Sequence, residues 1–407
     1  MSHLRRLQRQ ALLVLKRGFS TPAVTSLSKD EKEFKNFVAD FAAKEISPKV
    51  REMEEAGRID QNLVKKLFDN GLMGLEIPKK YGGMELGFFL TVLSIEEISK
   101  VDPSVAVLTD IQNTLVNALM MKIGNEEQKD YYLPKLAKYM VGSFGLTEET
   151  SGSDAFALKT TADKVGSGYV LNGSKMWITN SDLSSVFLVM ANVDKTKGYK
   201  GITCFIVDRN AKGFSVGKPE KKMSLKASGT CSLHFDNVEI REDRVLGEIG
   251  QGYRYTIGFL NEGRIGVAAQ MLGLAQGCFD STIPYLLDRK QFGSPVYDFQ
   301  GMQHQIAEAS TRLEAGRLLV YNAARLVEGK KEFIKEASMA KHYCSQLAGY
   351  ITRKCIDWCG GVGISTDLPQ EKFFRDAKVG TIYEGTTNIQ LNTIAKLVRK
   401  QYAKSEE

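Results

Sequence analysis

The hydrophobic period switches twice along these 407 residues, and that double switch constrains the fold more than any single motif. From about Ser28 to Met140, apolar residues recur at helical spacing. From Val141 to about Gly250 they fall into short runs divided by Gly, Asn and Lys, and from Gln251 long helical periods return. The expected fold is multidomain α+β. An N-terminal α-helical domain covers 28–140, a middle antiparallel β-barrel or sandwich covers 141–250, and a C-terminal four-helix bundle covers 251–407, behind a leader of residues 1–27.

In the first zone the charged run Glu31 to Met53 predicts one helix and Asp60 to Asn70 a shorter one; another begins near Phe88, and Asp102-Pro103-Ser104 restarts a helix with the proline in its first turn. In the middle zone Asn172-Gly173 predicts a hairpin turn, while Val186–Val193, Ile202–Val207 and Ser232–Ile240 read as strands. The last zone predicts helices over about Leu260–Arg289, Gln300–Glu328, Lys331–Asp357 and Asn388–Tyr402.

A formal charge of +7 invites a nucleic-acid reading, but its location argues against one. Arg5, Arg6, Arg9, Lys16, Arg17 and Lys29 precede the first acid, Asp30; without them 49 basic residues face 48 acidic ones. No general basic field remains on the body. The leader itself, Arg-rich and acid-free with a short apolar run at Ala11–Leu15, has the composition of a mitochondrial transit peptide, with removal expected near residues 19–29 and a matrix location implied. No apolar stretch approaches the ~18 residues a membrane span requires.

Six scattered cysteines form no CxxC pair, and four histidines form no HExxH or Cys/His cluster, so reduced thiols and no metal centre are expected. GxGxxG, GxxxxGK[ST] and GxSxG patterns are also lacking, so redox chemistry would need a cofactor held in another way.

Four clusters carry polar chemistry. Phe144, Gly145, Leu146, Thr147, Glu148, Glu149, Thr150, Ser151, Gly152 and Ser153, followed by Asp154, supply backbone N–H groups and hydroxyls suited to an anion or a polar ring edge, although a hydrophilic turn reads the same. Trp177, Ile178 and Thr179 put one of only two tryptophans beside a hydroxyl, as core or as a flat wall. Arg289, at a helix end, suits either a phosphate or the helix dipole. Glu384, flanked by Ile382, Tyr383 and Gly385, is either a solvated loop acid or a desolvated general base.

Taken in order, these clusters resemble the acyl-CoA dehydrogenase family from about residue 28 to the end. The resemblance rests on Tyr81-Gly82-Gly83, Gly124 to Lys129, Leu133 to Leu136, Thr147-Glu148 with Gly152-Ser153-Asp154, and Trp177 to Thr179. It continues through Asp288 to Gly293, Arg375-Asp376-Ala377 and Ile382 to Thr386; Leu260–Gly266 and Ala269–Gly277 look most like the mitochondrial short/branched-chain branch of the family.

The resemblance implies a homotetramer with one FAD per subunit, oxidising short and 2-methyl-branched acyl-CoA thioesters and passing electrons to electron-transferring flavoprotein. Glu384 would be the base that removes the α-proton. Phe144 to Ser153 and Trp177 to Thr179 would line the flavin, and Thr386, Thr387 and Asn388 would meet the cofactor past the base. Arg289, Gln300, Asp357, Trp358, Cys359, Gly360 and Gly361 would reach the FAD of a neighbouring subunit. Ser153, Tyr199, Tyr253, Asn261, Glu262, Gly263 and Arg264 would meet the CoA portion of the substrate.

Some relatives carry the base just before the arginine matching Arg264; here that position is Gly263, and Glu262 should point about 100° away around the helix. Two departures stand out. Glu149-Thr150-Ser151-Gly152 replaces the family's usual Pro-Gly-Ala-Gly, and Asp357 stands where many members have glutamine. The alternatives are an enoyl-CoA reductase running the same site backwards, an oxygen-using acyl-CoA oxidase, and a non-catalytic flavin-binding assembly protein.

Overall fold

The computed structural model describes residues 23–403, so most of the leader lies outside the described residues. Helix α1 (Lys29–Phe41) starts at a capping box in which Ser28 and Glu31 satisfy each other's backbone N–H groups. The single helix expected through Met53 is broken. A widened turn at Ala42–Ile46 and a 3-10 turn at Ser47–Lys49 precede α2 (Val50–Ala56), because Pro48 has no N–H to continue the ladder. Asp60 caps α3 (Gln61–Asp69) through Leu63 N at 2.8 Å.

Helix α4 (Phe88–Ser99) is buried on nearly every side, and Asp102 caps α5 (Pro103–Asp110) through Ser104 N and Val105 N. A π-helical turn, Ile111–Asn117, leads into α6 (Ala118–Ile123), followed by α7 (Glu126–Lys138). The π turn is polar inside an apolar setting. Gln112 donates to Met140 O and accepts from Gly142 N at 2.9 Å, while Asn113 and Asn117 hold the carbonyls of Leu72 and Met73. It therefore clamps the helical layer to the first strand.

The strands are β1 (Gly142–Gly145), β2 (Thr161–Val165), β3 (Gly168–Thr179), β4 (Val186–Asn192), β5 (Ile202–Asp208), β6 (Phe214–Val216), β7 (Thr230–Ile240) and β8 (Val245–Leu246). Their order is β6-β7-β3-β2-β4-β5-β8, with β1 beside β4. The expected middle β domain is present, but against the expected antiparallel barrel or sandwich the sheet is mixed and not a closed barrel: β1 and β2 both run parallel to β4, and the path ends at β6 and β8 without closing. β1 reads Gly-Ser-Phe-Gly, without the β-branched residues that announce a strand. β4 is buried along its whole length because its two faces serve two cores. Leu188 and Met190 join Leu115, Leu119 and Leu133 of the helical layer, whereas Phe187 and Val189 join Phe205, Phe214 and Phe235 within the sheet.

Asn172-Gly173 is not a turn. The hairpin between β2 and β3 closes at Gly166-Ser167, with Val165 paired to Gly168. Gly173 is a bulge in the middle of β3, at φ +140°, where a Cβ would stand 2.6 Å from Thr160 Oγ1. The dipeptide is used for close strand approach rather than for reversal.

The C-terminal bundle consists of α8 (Gly252–Asp288), α9 (Gln300–Glu328), α10 (Ile334–Cys359) and α12 (Thr387–Tyr402), with the short α11 (Gln370–Ala377) between the last two. The six cysteines are buried and unpaired. No helix among the described residues is long and apolar enough to cross a membrane.

One buried network ties the three layers together through α11. Lys372 Nζ lies 2.7 Å from Asp376 and 3.6 Å from Asp102, and Asp376 accepts Leu225 N at 2.6 Å from the β layer. Burial alone would lower the Lys372 ammonium, but Asp102 and Asp376 outweigh it and hold it above its ordinary value. Truncating one partner leaves a buried charge uncompensated, so Asp376→Ala should lose about 3–5 kcal/mol of stability; a denaturation midpoint equal to wild type at neutral pH would contradict this.

Candidate active site

Glu384 sits in a turn between α11 and α12 with φ +52°, followed by Gly385 at φ +85°. Two consecutive left-handed residues are costly for a glutamate and must be held from outside. Three helices do the holding. Lys341 and Ser345, one turn apart on α10, donate to Gly385 O and Gly380 O, each at 2.7 Å. Gln390 on α12 donates to Glu384 O at 3.1 Å and Gly385 O at 2.9 Å. From α8, Gln270 accepts the Tyr383 hydroxyl proton.

The turn drives the carboxyl inward. Glu384 Oε2 is buried without a hydrogen-bond partner, and it faces Gly263, where a Cβ would lie 3.3 Å away. Burial pushes the Glu384 carboxyl up to about 7, against the pull of Lys341 and Arg264. Asp110, at the end of α5, lies behind this site; burial first and Glu384 second hold its carboxyl well above the usual range, and Thr114 donates to it at 2.9 Å. Burial lowers the Lys341 ammonium to about 7, opposed by Glu384, and lowers Arg264 in the same way. A carboxylate with a free oxygen, poised near neutral pH in a desolvated recess, is suited to taking a proton from carbon.

The β-domain loop is anchored by a second buried pair. Glu148 accepts from Lys175 Nζ at 2.7 Å, from Lys159 N at 2.6 Å and from Thr160 N at 3.1 Å, and Lys175 also donates to Leu146 O. Glu148 and Ser151 exchange backbone hydrogen bonds, and Met176 N donates to Thr147 O. Phe144 and Leu146 pack in the same apolar cluster as Leu115, Phe259 and Tyr383, which joins this loop to the base. Trp177 stands 55% exposed at φ +60°, displaced by a bulge in β3. Next to Thr179, Asn180 donates to Leu108 O, two residues from Asp110. An outward-facing indole, hydroxyls and unfilled space before Gly152 fit a flat aromatic cofactor with polar edges. Glu149 and Thr150 point to solvent.

The remaining expected site residues divide in two. Asn261 is buried and holds Arg264 at 2.8 Å, Glu262 turns away into an ion pair with Lys122 at 2.7 Å, and Tyr199 and Phe156 pack on Tyr253 at 4.5 and 4.3 Å beside the exposed Ser153. Thr386 caps α12, Thr387 Oγ1 is buried without a partner, and Asn388 is exposed. These residues belong to the end of the molecule near the base. Arg289, Gln300, Asp357, Gly360 and Gly361 are exposed at the other end of the bundle, where buried Trp358 donates to Gln305 and buried Cys359 adjoins Thr282. From Gly263 to Arg289 the helix rises roughly 40 Å, so one chain does not bring the two sets together.

Sequence reading missed Asp110, Gln270, Lys341 and Gln390. The available signal was a charged or amide group on an apolar helical stripe: Lys341 lies among Ala337, Ala340, Cys344 and Ala348, all buried.

A carboxyl whose folded pKa exceeds its unfolded value (~4.3) weakens the fold as pH rises between the two, because the unfolded chain ionises more readily. Glu384→Gln removes that cost. The variant should match wild type near pH 4 and exceed it by about 3 kcal/mol at pH 8, a difference checked by unfolding the two proteins in parallel across that range.

Three family models match the chain in order: acyl-CoA dehydrogenase N-terminal domain over residues 28–139, middle domain over 143–238 and C-terminal domain over 250–398. The short/branched chain specific acyl-CoA dehydrogenase, mitochondrial, of Rattus norvegicus is 60% identical over 365 residues, covering 90% of this chain and 84% of that protein. The solved butyryl-CoA dehydrogenase of Megasphaera elsdenii superposes with a TM-score of 0.90 at 35% identity, covering 92% of this chain and 99% of the other. A chain from a study of the electron transferring flavoprotein of Acidaminococcus fermentans and flavin-based electron bifurcation gives 0.90 at 37% identity with the same coverage. With all three domain models matched and the recessed carboxylate in place, the chain belongs to the acyl-CoA dehydrogenase family.

Proposed function

We propose that the protein is a mitochondrial FAD-dependent dehydrogenase that converts short and 2-methyl-branched acyl-CoA thioesters to 2-enoyl-CoA, with Glu384 as the base and electron-transferring flavoprotein as the acceptor. The observation that carries the assignment of the base is the buried, unpartnered Glu384 Oε2 opposite the bare Cα of Gly263. An α-C–H is a poor acid in water. It yields its proton when its carbonyl is polarised and the base is close and dry.

Glu384 supplies both requirements. Its side chain takes the α-proton, and its backbone N–H, which donates no hydrogen bond among the described residues, is free for the thioester oxygen. When bound, FAD supplies the acceptor for the hydride that leaves the β-carbon. The residues that would hold it are Phe144 to Ser153, Trp177 to Thr179 and Thr386 to Asn388. Ser153, Tyr199 and Tyr253, the two tyrosines packed on each other and Tyr253 on Phe156, would meet the CoA arm, as would Arg264, which Asn261 holds.

Arg289, Gln300 and Asp357 to Gly361 lie too far along the bundle to serve the same chain's base. In a homotetramer they would complete the FAD site of a neighbouring subunit. The rat relative's mitochondrial name and the Arg-rich leader together support a matrix location.

Two experiments test this reading. Glu384→Gln should retain bound FAD yet bleach at least 10²-fold more slowly, roughly the worth of a positioned general base, when titrated anaerobically with butyryl-, 2-methylbutyryl-, isobutyryl- or isovaleryl-CoA. Wild-type bleaching by that variant refutes the base. Arg289→Ala should leave Glu384 untouched yet shed FAD on gel filtration; full retention would remove Arg289 from the cofactor site.

A further inference from the structure

Lys341 is a buried cation without a buried counter-ion in contact. It is 0% exposed and forms no salt bridge among the described residues; its one hydrogen bond is the 2.7 Å donation to Gly385 O. That carbonyl already accepts from Gln390 at 2.9 Å, and the neighbouring rung of the same helix secures Gly380 O with a serine hydroxyl. A neutral donor would therefore hold the turn. Burying an ammonium costs several kcal/mol, which an ordinary carbonyl bond does not offset.

The charged and titratable groups around Lys341 are few. Glu384 faces it from the turn and Arg264 from α8; Asp110, from α5, faces Glu384 from behind. Arg264 is occupied by Asn261 and Ser338, and its Nε is buried without a partner. Glu384 is thus the one nearby group whose ionisation a positive charge at 341 favours.

We propose that Lys341 is a positioning residue for the base: it grips Gly385 O, fixing the left-handed turn that aims Glu384, and its positive charge favours the ionised form of that carboxylate in the dry recess before substrate is deprotonated. The inference rests on Glu384 being the base. It adds a requirement for charge, and not only for a hydrogen bond, at position 341.

The test compares wild type, Lys341→Met, Lys341→Arg, Gln390→Leu and Glu384→Gln, all loaded with FAD. Protonation of Glu384 is read directly in ligand-free enzyme by infrared difference spectra of ¹³C-glutamate-labelled protein, with Glu384→Gln identifying the band; bleaching by substrate is followed in parallel. Lys341→Met should move the protonation midpoint upward by about one pH unit or more, the effect expected on losing a nearby opposite charge. It should slow bleaching at pH 7 about tenfold with little change in KM.

Lys341→Arg should restore the midpoint, and Gln390→Leu, which removes a neutral donor to the same turn, should move it less than Lys341→Met does. If Lys341→Met does not fold, Lys341→Gln carries the same expectation. An unmoved midpoint in whichever neutral variant folds overturns the proposal, as does an equal shift in Gln390→Leu. If Glu384→Gln bleaches normally the base lies elsewhere, and that outcome is distinct from an inert Glu384→Gln beside a Lys341→Met of wild-type midpoint.

Discussion

The structure is organised around the desolvation of one carboxyl. A glutamate in a loop is ordinarily hydrated and acidic; Glu384 is neither, because its backbone is folded left-handed and its Oε2 is turned into a recess without a partner. That arrangement is unfavourable twice over, in backbone strain and in lost hydration. It persists because α8, α10 and α12 each hold the turn by a separate hydrogen bond. Strain at the site is offset by order elsewhere in the bundle.

The β layer solves a related problem by another route. Its loop from Phe144 to Ser153 has few residues that would fix it by packing alone, and a buried ion pair does so instead. Burial by itself would raise the Glu148 carboxyl, but Lys175 and the N–H groups of Lys159 and Thr160 outweigh it and hold it below the ordinary range. The loop is thereby tied to β3 at the position where the strand bulges and Trp177 turns outward. Gln112, in the π turn after Asp110, links this layer back to the helices that enclose the base. A π turn costs regular helix geometry, and here it frees side chains to bridge two layers.

Much of this was legible in the sequence, and the failures have physical causes. Of the bundle helices, α9 matches its expected bounds and α10 and α12 lie within three residues of theirs, since a long run of one period leaves little ambiguity, whereas α8 begins eight residues before the expected Leu260. Asn172-Gly173 misled because a glycine at positive φ serves a bulge as well as a turn, and only the proximity of Thr160 distinguishes them. β1 escaped notice because four residues lacking β-branched side chains carry no period. Glu384 was identified through flanking Ile382 and Tyr383 together with the family pattern. Lys341 and Asp110 were passed over because a single charge on an apolar stripe does not reveal, in one dimension, that another charge lies opposite.

Gly263 shows why the base can occupy only one place. On α8 it faces Glu384, with room for a methyl group only at 3.3 Å from Oε2 and 3.5 Å from Leu115. A carboxylate at 263 would put two like charges in one dry recess, where one of them would have to stay protonated. Asp110 already illustrates the effect from farther away, since Glu384 helps to hold its carboxyl well above the usual range. The recess therefore accommodates one ionised acid. A base on the helix and a base on the turn are mutually exclusive solutions, and the absence of a side chain at 263 is as much a part of the site as the carboxyl at 384.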